Sequence, residues 1–102
     1  MSHDLAEQTT GLASRVNNLA VITMGPECQS LLELQDRLAK QVMVAIVKDL
    51  NEERADYQAA IKGLNDAIAL IGEGNKRIEN VAKVIKMATK AADLVDKVIK
   101  AV

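Results

Sequence analysis

Four carboxylates, Asp49, Glu52, Glu53 and Asp56, follow the spacing i, i+3, i+4 and i+7, which places them on one face of a helix. Such a cluster has the chemistry to hold a divalent cation or to meet a basic partner. Helical carboxylate sites for metal ions pair Glu with a His three residues on. The single histidine of this chain, His3, is far away in sequence. The four acids therefore read as a solvated face, a cap or an acidic partner patch, and neither a metal nor a cofactor is expected.

Cys28 stands near the start of a predicted helix, where the positive helix end favours a thiolate. No histidine lies near it in sequence to act as base, so it reads as a small half-buried residue. Gly72-Glu73-Gly74 follows a helical pattern, not a strand, and lacks the Gly-Lys-Ser/Thr end of a phosphate loop. No nucleophile and base can be paired, and the chain is expected not to be an enzyme.

Lys83, Lys86, Lys90, Lys97 and Lys100 line one side of the C-terminal segment and form a possible face for an anionic partner. A basic amphipathic helix can lie on an anionic membrane surface, but this one has no Trp or Phe to enter it. Nucleic acid is not expected as a partner: the chain is slightly acidic overall and has no stacking aromatics. Residues 1–75 carry six Lys/Arg against eleven Asp/Glu, and residues 76–102 carry seven against three. The two portions can attract each other within one chain or between chains.

These groups sit on a chain of 102 residues, a length that implies one domain. The apolar half is almost wholly aliphatic, with fifteen Ala, eleven Leu, ten Val and eight Ile, no Trp or Phe, and Tyr57 as the only aromatic. That composition, with abundant Glu, Lys and Gln, points to an all-α fold of bundle or coiled-coil type. One cysteine allows no intrachain disulfide. The N-terminus lacks the basic and then apolar regions of a secretory signal, and no apolar run approaches the roughly 18 residues of a membrane span. A soluble, cytoplasmic protein is expected.

Three helical segments follow from the periodicity. The first, 3–24, has Leu5, Thr9, Leu12, Val16, Leu19 and Ile22 on one face, with Ser2 as its cap. Gly25-Pro26 ends it and starts the next. The central stretch, about 26–71, carries Leu31, Leu34, Leu38, Val42, Ile46, Leu50, Tyr57, Ile61, Leu64, Ile68 and Ile71. It reads preferentially as one long helix, ~70 Å at 1.5 Å per residue, with a possible break near 49–51, where Asp49, Asn51 and Glu52 resemble cap residues. Within it, Val42 to Val47 are apolar all round, which implies burial among other helices. Gly72 to Asn75 read as a turn. The last helix, 76–102, alternates three and four at Ile78, Val81, Ile85, Ala88, Ala92, Val95, Ile99 and Val102. A second stripe of Val84, Met87, Ala91, Leu94, Val98 and Ala101 runs beside the first, so this helix should touch at least two neighbours.

The expected architecture is a helical bundle or hairpin with a long central helix flanked by 3–24 and 76–102. Its apolar surface exceeds what one chain can bury. The expected function is a non-enzymatic interaction module that self-associates and binds another protein. The interface residues expected for self-association are Val42, Ile46, Tyr57, Val84, Met87, Ala91, Leu94 and Val98. The alternative is a binder of membrane or other anionic surfaces through 76–102.

Overall fold

A computed structural model describes residues 3–48, 50–73 and 81–100, all in helices or their connections, with no strand among them. The helices are α1 (Asp4–Ile22), α2 (Pro26–Val47), α3 (Ala55–Glu73) and α4 (Val81–Lys100). The predicted stripe of α1 is buried from Leu5 to Leu19. Thr9 joins it at little cost because its hydroxyl donates to the Leu5 carbonyl at 2.7 Å. Gly25 takes a positive φ of 83°, which a side chain would strain, and Pro26 opens α2.

The central stretch is two helices, not one rod. Lys48 is extended, at φ −96° and ψ 145°. The Asn51 side-chain oxygen accepts from the Glu53 amide at 2.9 Å, and the Asn51 carbonyl accepts from the Arg54 amide at 3.2 Å. Asp56 then accepts from the Tyr57 amide at 2.8 Å as α3 begins. Short polar side chains that bind nearby amides compete with the helix ladder, so no Gly or Pro is needed here. The third helix runs on through Gly72 to Glu73, past the start of the expected turn. The rest of that turn, the expected cap Ser2 and the ends of the last segment lie outside the described residues.

The helices form two antiparallel hairpins, α1–α2 and α3–α4, and α1 packs on α3 while α2 packs on α4. Residues in contact across the hairpins rise together in number: Leu5 meets Tyr57 and Gly11 meets Ile68, while Gln41 meets Ala92 and Lys48 meets Ile99. The stacked helices are therefore parallel, and the 48–54 connection crosses the bundle end diagonally from α2 to α3. The whole measures 38 × 21 × 18 Å.

Both predicted stripes of α4 turn inward. Val84, Ala88, Ala91, Ala92, Val95, Val98 and Ile99 are buried against α3 and α2. Small residues let these helices approach closely: a Cβ on Gly63 would lie 3.1 Å from Leu94 Cδ1. The second helix departs from its expected stripe. After Leu38 the inward positions are Gln41 and Ala45, not Val42 and Ile46. At 3.6 residues per turn, each four-residue step overshoots a full turn by about 40°. The series 38, 42, 46 therefore walks around the helix and off the core.

Candidate protein-interaction surface

The second helix reaches the end of the bundle with its apolar run uncovered. Met43 is 73% exposed, Val44 36%, Ile46 50% and Val47 80%. Residues 42–47 are thus not surrounded by other helices of this chain, contrary to what their apolar run implied: only Ala45 is buried and Val42 half-buried. Three helices do not surround the run, because the chain turns diagonally underneath α2 at Lys48. The Lys48 ammonium fixes that turn by donating to the Ile99 carbonyl of α4 at 3.0 Å.

Beside the run, the cap residue His3 and Ala6, Glu7 and Thr10 of α1 face Val42 and Ile46 across an open groove of about 370 Å³. A second groove of about 330 Å³, sharing Thr10 and Val42, continues between Ala13, Ser14 and Asn17 of α1 and Gln35 and Ala39 of α2. At the opposite end of the same hairpin Val21, Ile22 and Met24 are exposed around the Gly25 turn. Every exposed large hydrophobic side chain among the described residues lies between Val21 and Val47. The apolar surface thus belongs to the α1–α2 hairpin, while α3 and α4 keep theirs inside.

The residues nominated from sequence for self-association divide accordingly. Ile46 is exposed within the run and Val42 is half-buried at its start. Tyr57, Val84, Ala91 and Val98 are buried inside the bundle, and Met87 and Leu94 are half-buried along the α3–α4 groove. The expected second neighbour of those α4 residues is supplied within the chain by α3 and α2. Met43 and Val47 were not distinguished from the rest of the run by pattern, yet they are its most exposed members.

Tyr57 is a cap, not an exposed anchor. Its hydroxyl accepts from the Leu5 amide at 3.1 Å. Burial pushes the phenol pKa above its ordinary value, the charges of Glu52 and Asp4 add to this, and the Leu5 amide opposes it.

The acids do not form one face. Asp49 lies outside the described residues. Glu52 and Glu53 sit in the nonhelical connection and Asp56 in the first turn of α3, where it pairs with Arg54 at 3.0 Å. The broken helix removes the spacing that would align them. Among the described residues no three His, Cys, Asp or Glu gather to hold a metal ion. Cys28 is half-buried and its thiol donates to the Ala20 carbonyl at 3.4 Å. Lys83, Lys86, Lys90, Lys97 and Lys100 are exposed on α4, but the apolar face of that helix is committed to the core. No helix among the described residues is long and apolar enough to cross a membrane.

One polar cluster has no counterpart in the sequence reading. Arg37 of α2 holds Asp93 and Asp96 of α4, each at 2.7 Å. Helical spacing pairs those acids with Lys97 and Lys100, and pairs Arg37 with Glu33. Gln41 donates to Asp96 and to the Ala92 carbonyl, each at 2.8 Å, while its own oxygen is buried without a partner. Burial pushes the Asp96 carboxyl up, but the hydrogen bonds from Arg37 and Gln41 and the charges of Arg37 and Lys100 outweigh it and hold the pKa below its ordinary value. This cluster joins the hairpins and fixes which side of α2 faces solvent.

Comparison of the chain with protein-family models, with curated proteins and with solved structures finds no match in any of the three.

Proposed function

We propose that this protein is a non-enzymatic interaction module that self-associates and binds another protein through its α1–α2 hairpin. The observation that supports this reading is the confinement of the exposed aliphatic side chains to that hairpin, above all Met43, Ile46 and Val47. An apolar patch rimmed by polar residues is a common mark of an interaction surface. The polar cluster of Arg37, Asp96 and Gln41 holds α2 so that this run cannot turn inward without breaking it. We place the protein in a reducing, cytoplasmic setting on the strength of its single unpaired cysteine.

Sedimentation equilibrium at tens of micromolar tests the reading. Wild type is expected at more than one chain per particle. The Met43→Glu/Val47→Glu variant is expected at one, with its stability changed by less than about 0.5 kcal/mol, as for other surface changes. A wild-type mass of one chain would overturn self-association.

A further inference from the structure

We infer that the outward side of α4 docks on an anionic lipid bilayer by electrostatic attraction, without inserting into it. The inference stands apart from self-association, which concerns the α1–α2 hairpin. The exposed positions of α4 are Ala82, Lys83, Lys86, Lys90, Asp93, Lys97 and Lys100, so five of the seven are lysine. They lie opposite the buried stripe of Val84, Ala88, Ala91 and Val95. At 3.6 residues per turn, Lys83, Lys86, Lys90 and Lys97 fall within about 60° of arc and Lys100 about 40° beyond, in a row ~26 Å long. The acids that helical spacing sets against this row are drawn away from it. Asp93 and Asp96 stand four residues before Lys97 and Lys100, yet both turn to Arg37 of α2, each at 2.7 Å. Asp66 of α3 shares a groove with Lys90 but pairs with Lys62 at 3.0 Å. Among the described residues no ion pair takes up Lys86, Lys90 or Lys97.

The chemistry of the row selects among anionic partners. Protein interfaces are depleted in lysine and close over an apolar centre, which the exposed side of α4 lacks. All five cations are lysine, whose compact ammonium has no planar fork to grip a single phosphate. A nucleic-acid duplex carries its phosphates on the two rims of a groove about 12 Å wide. A single row seated there would aim at base edges instead. A bilayer rich in acidic lipids is a flat, diffuse field that rewards the number of cations near it, about fivefold in affinity for each lysine. The long lysine stems let the whole row reach one plane. The cytoplasmic leaflet carries such a field, in keeping with the setting proposed above. Because the apolar face of α4 is buried in the bundle, attachment is by charge alone and salt releases it.

Vesicle sedimentation tests this, with phosphatidylserine and phosphatidylcholine in equal parts against phosphatidylcholine alone. Wild type is expected to sediment with the acidic vesicles only, at low salt, and to be released at ~0.5 M salt, where screening is nearly complete. Lys86→Gln/Lys90→Gln/Lys97→Gln is expected to bind about a hundredfold more weakly. Its circular dichroism spectrum and thermal melt should match wild type, since the three side chains lie outside the core. A wild type that stays in the supernatant at low salt overturns the inference. So does sedimentation that survives ~0.5 M salt or the three lysine substitutions. Tighter binding to a DNA duplex or to polyglutamate, at equal concentration of charge, would overturn the assignment to lipid. None of these outcomes bears on self-association, which sedimentation equilibrium without vesicles decides.

Discussion

The Leu5 amide donates a 3.1 Å hydrogen bond to the Tyr57 hydroxyl, so the only aromatic side chain caps the first helix from the third. His3, at the cap position itself, offers no side-chain bond. Tyr57→Phe keeps the ring and orphans a buried amide, an expected loss of about 1–2 kcal/mol in urea unfolding. With one tyrosine in the chain, phenolate absorbance reports Tyr57 alone, and its midpoint is expected above the ordinary value of about 10. Because the folded pKa is raised, the stabilisation is complete below the unfolded value and is lost as pH rises through the folded one. Tyr57→Phe should remove that component of alkaline destabilisation. A midpoint at the ordinary value would refute the buried environment.

Asp96 has the opposite sign. Its folded pKa is lowered, so its contribution is present above the unfolded carboxylate value and is lost as pH falls through the folded one. Arg37 and Asp96 are each about one-third exposed, which limits the pair by solvent screening. Asp96→Asn is expected to cost about 0.5–1 kcal/mol at neutral pH. The difference from wild type should close in acid as the wild-type carboxylate protonates. A cost that persists unchanged there would assign the effect to packing instead of charge.

Gly63 tests close approach between α3 and α4. Alanine in a helix interior gains about 1 kcal/mol over glycine. Against this, the added Cβ would lie 3.1 Å from Leu94 Cδ1. Leu94 is half-buried beside an open groove of about 280 Å³, so its methyl can move aside. Gly63→Ala is therefore expected to stabilise by about 0.5 kcal/mol. Gly63→Leu has no such room, and overpacking should cost about 1–3 kcal/mol. Thermal melts of the two variants with opposite signs are the expected result.

Glu53→Pro separates a connection from a helix. Within a helix, proline costs about 3 kcal/mol or more. At this position it removes only the Glu53 amide bond to Asn51, an expected loss of about 1 kcal/mol. Urea unfolding decides between the two magnitudes.

The helical segments, their all-α packing and the Gly25-Pro26 turn were legible because each rests on local chemistry. The inward face of α4 was legible too, but its covering was not. Periodicity identifies Val84, Ala91 and Val98 as turned from water without saying that the same chain covers them. Gln41 was hidden because a polar residue at an inward position carries no apolar signal. Its satisfaction depends on Asp96 and the Ala92 carbonyl, about fifty residues away in sequence. Asn51 and Glu52 did hint at the helix break, but helix-favouring neighbours argued against it. What decided the matter was the fit of two hairpins, a property of the whole chain. The exposed end of α2 followed from the same fit.

The diagonal course of 48–54 has a further consequence, for how halves can be exchanged between molecules. This segment is the sole covalent tie between two hairpins that each consist of sequence-local contacts. We predict that if it can no longer cross the bundle end, each hairpin will find its complement in another chain, giving a domain-swapped dimer. Deleting Asn51–Arg54 in the Met43→Glu/Val47→Glu background should therefore restore a two-chain mass in sedimentation while helix content stays unchanged. A folded single-chain particle would show that the shorter tie still spans the diagonal.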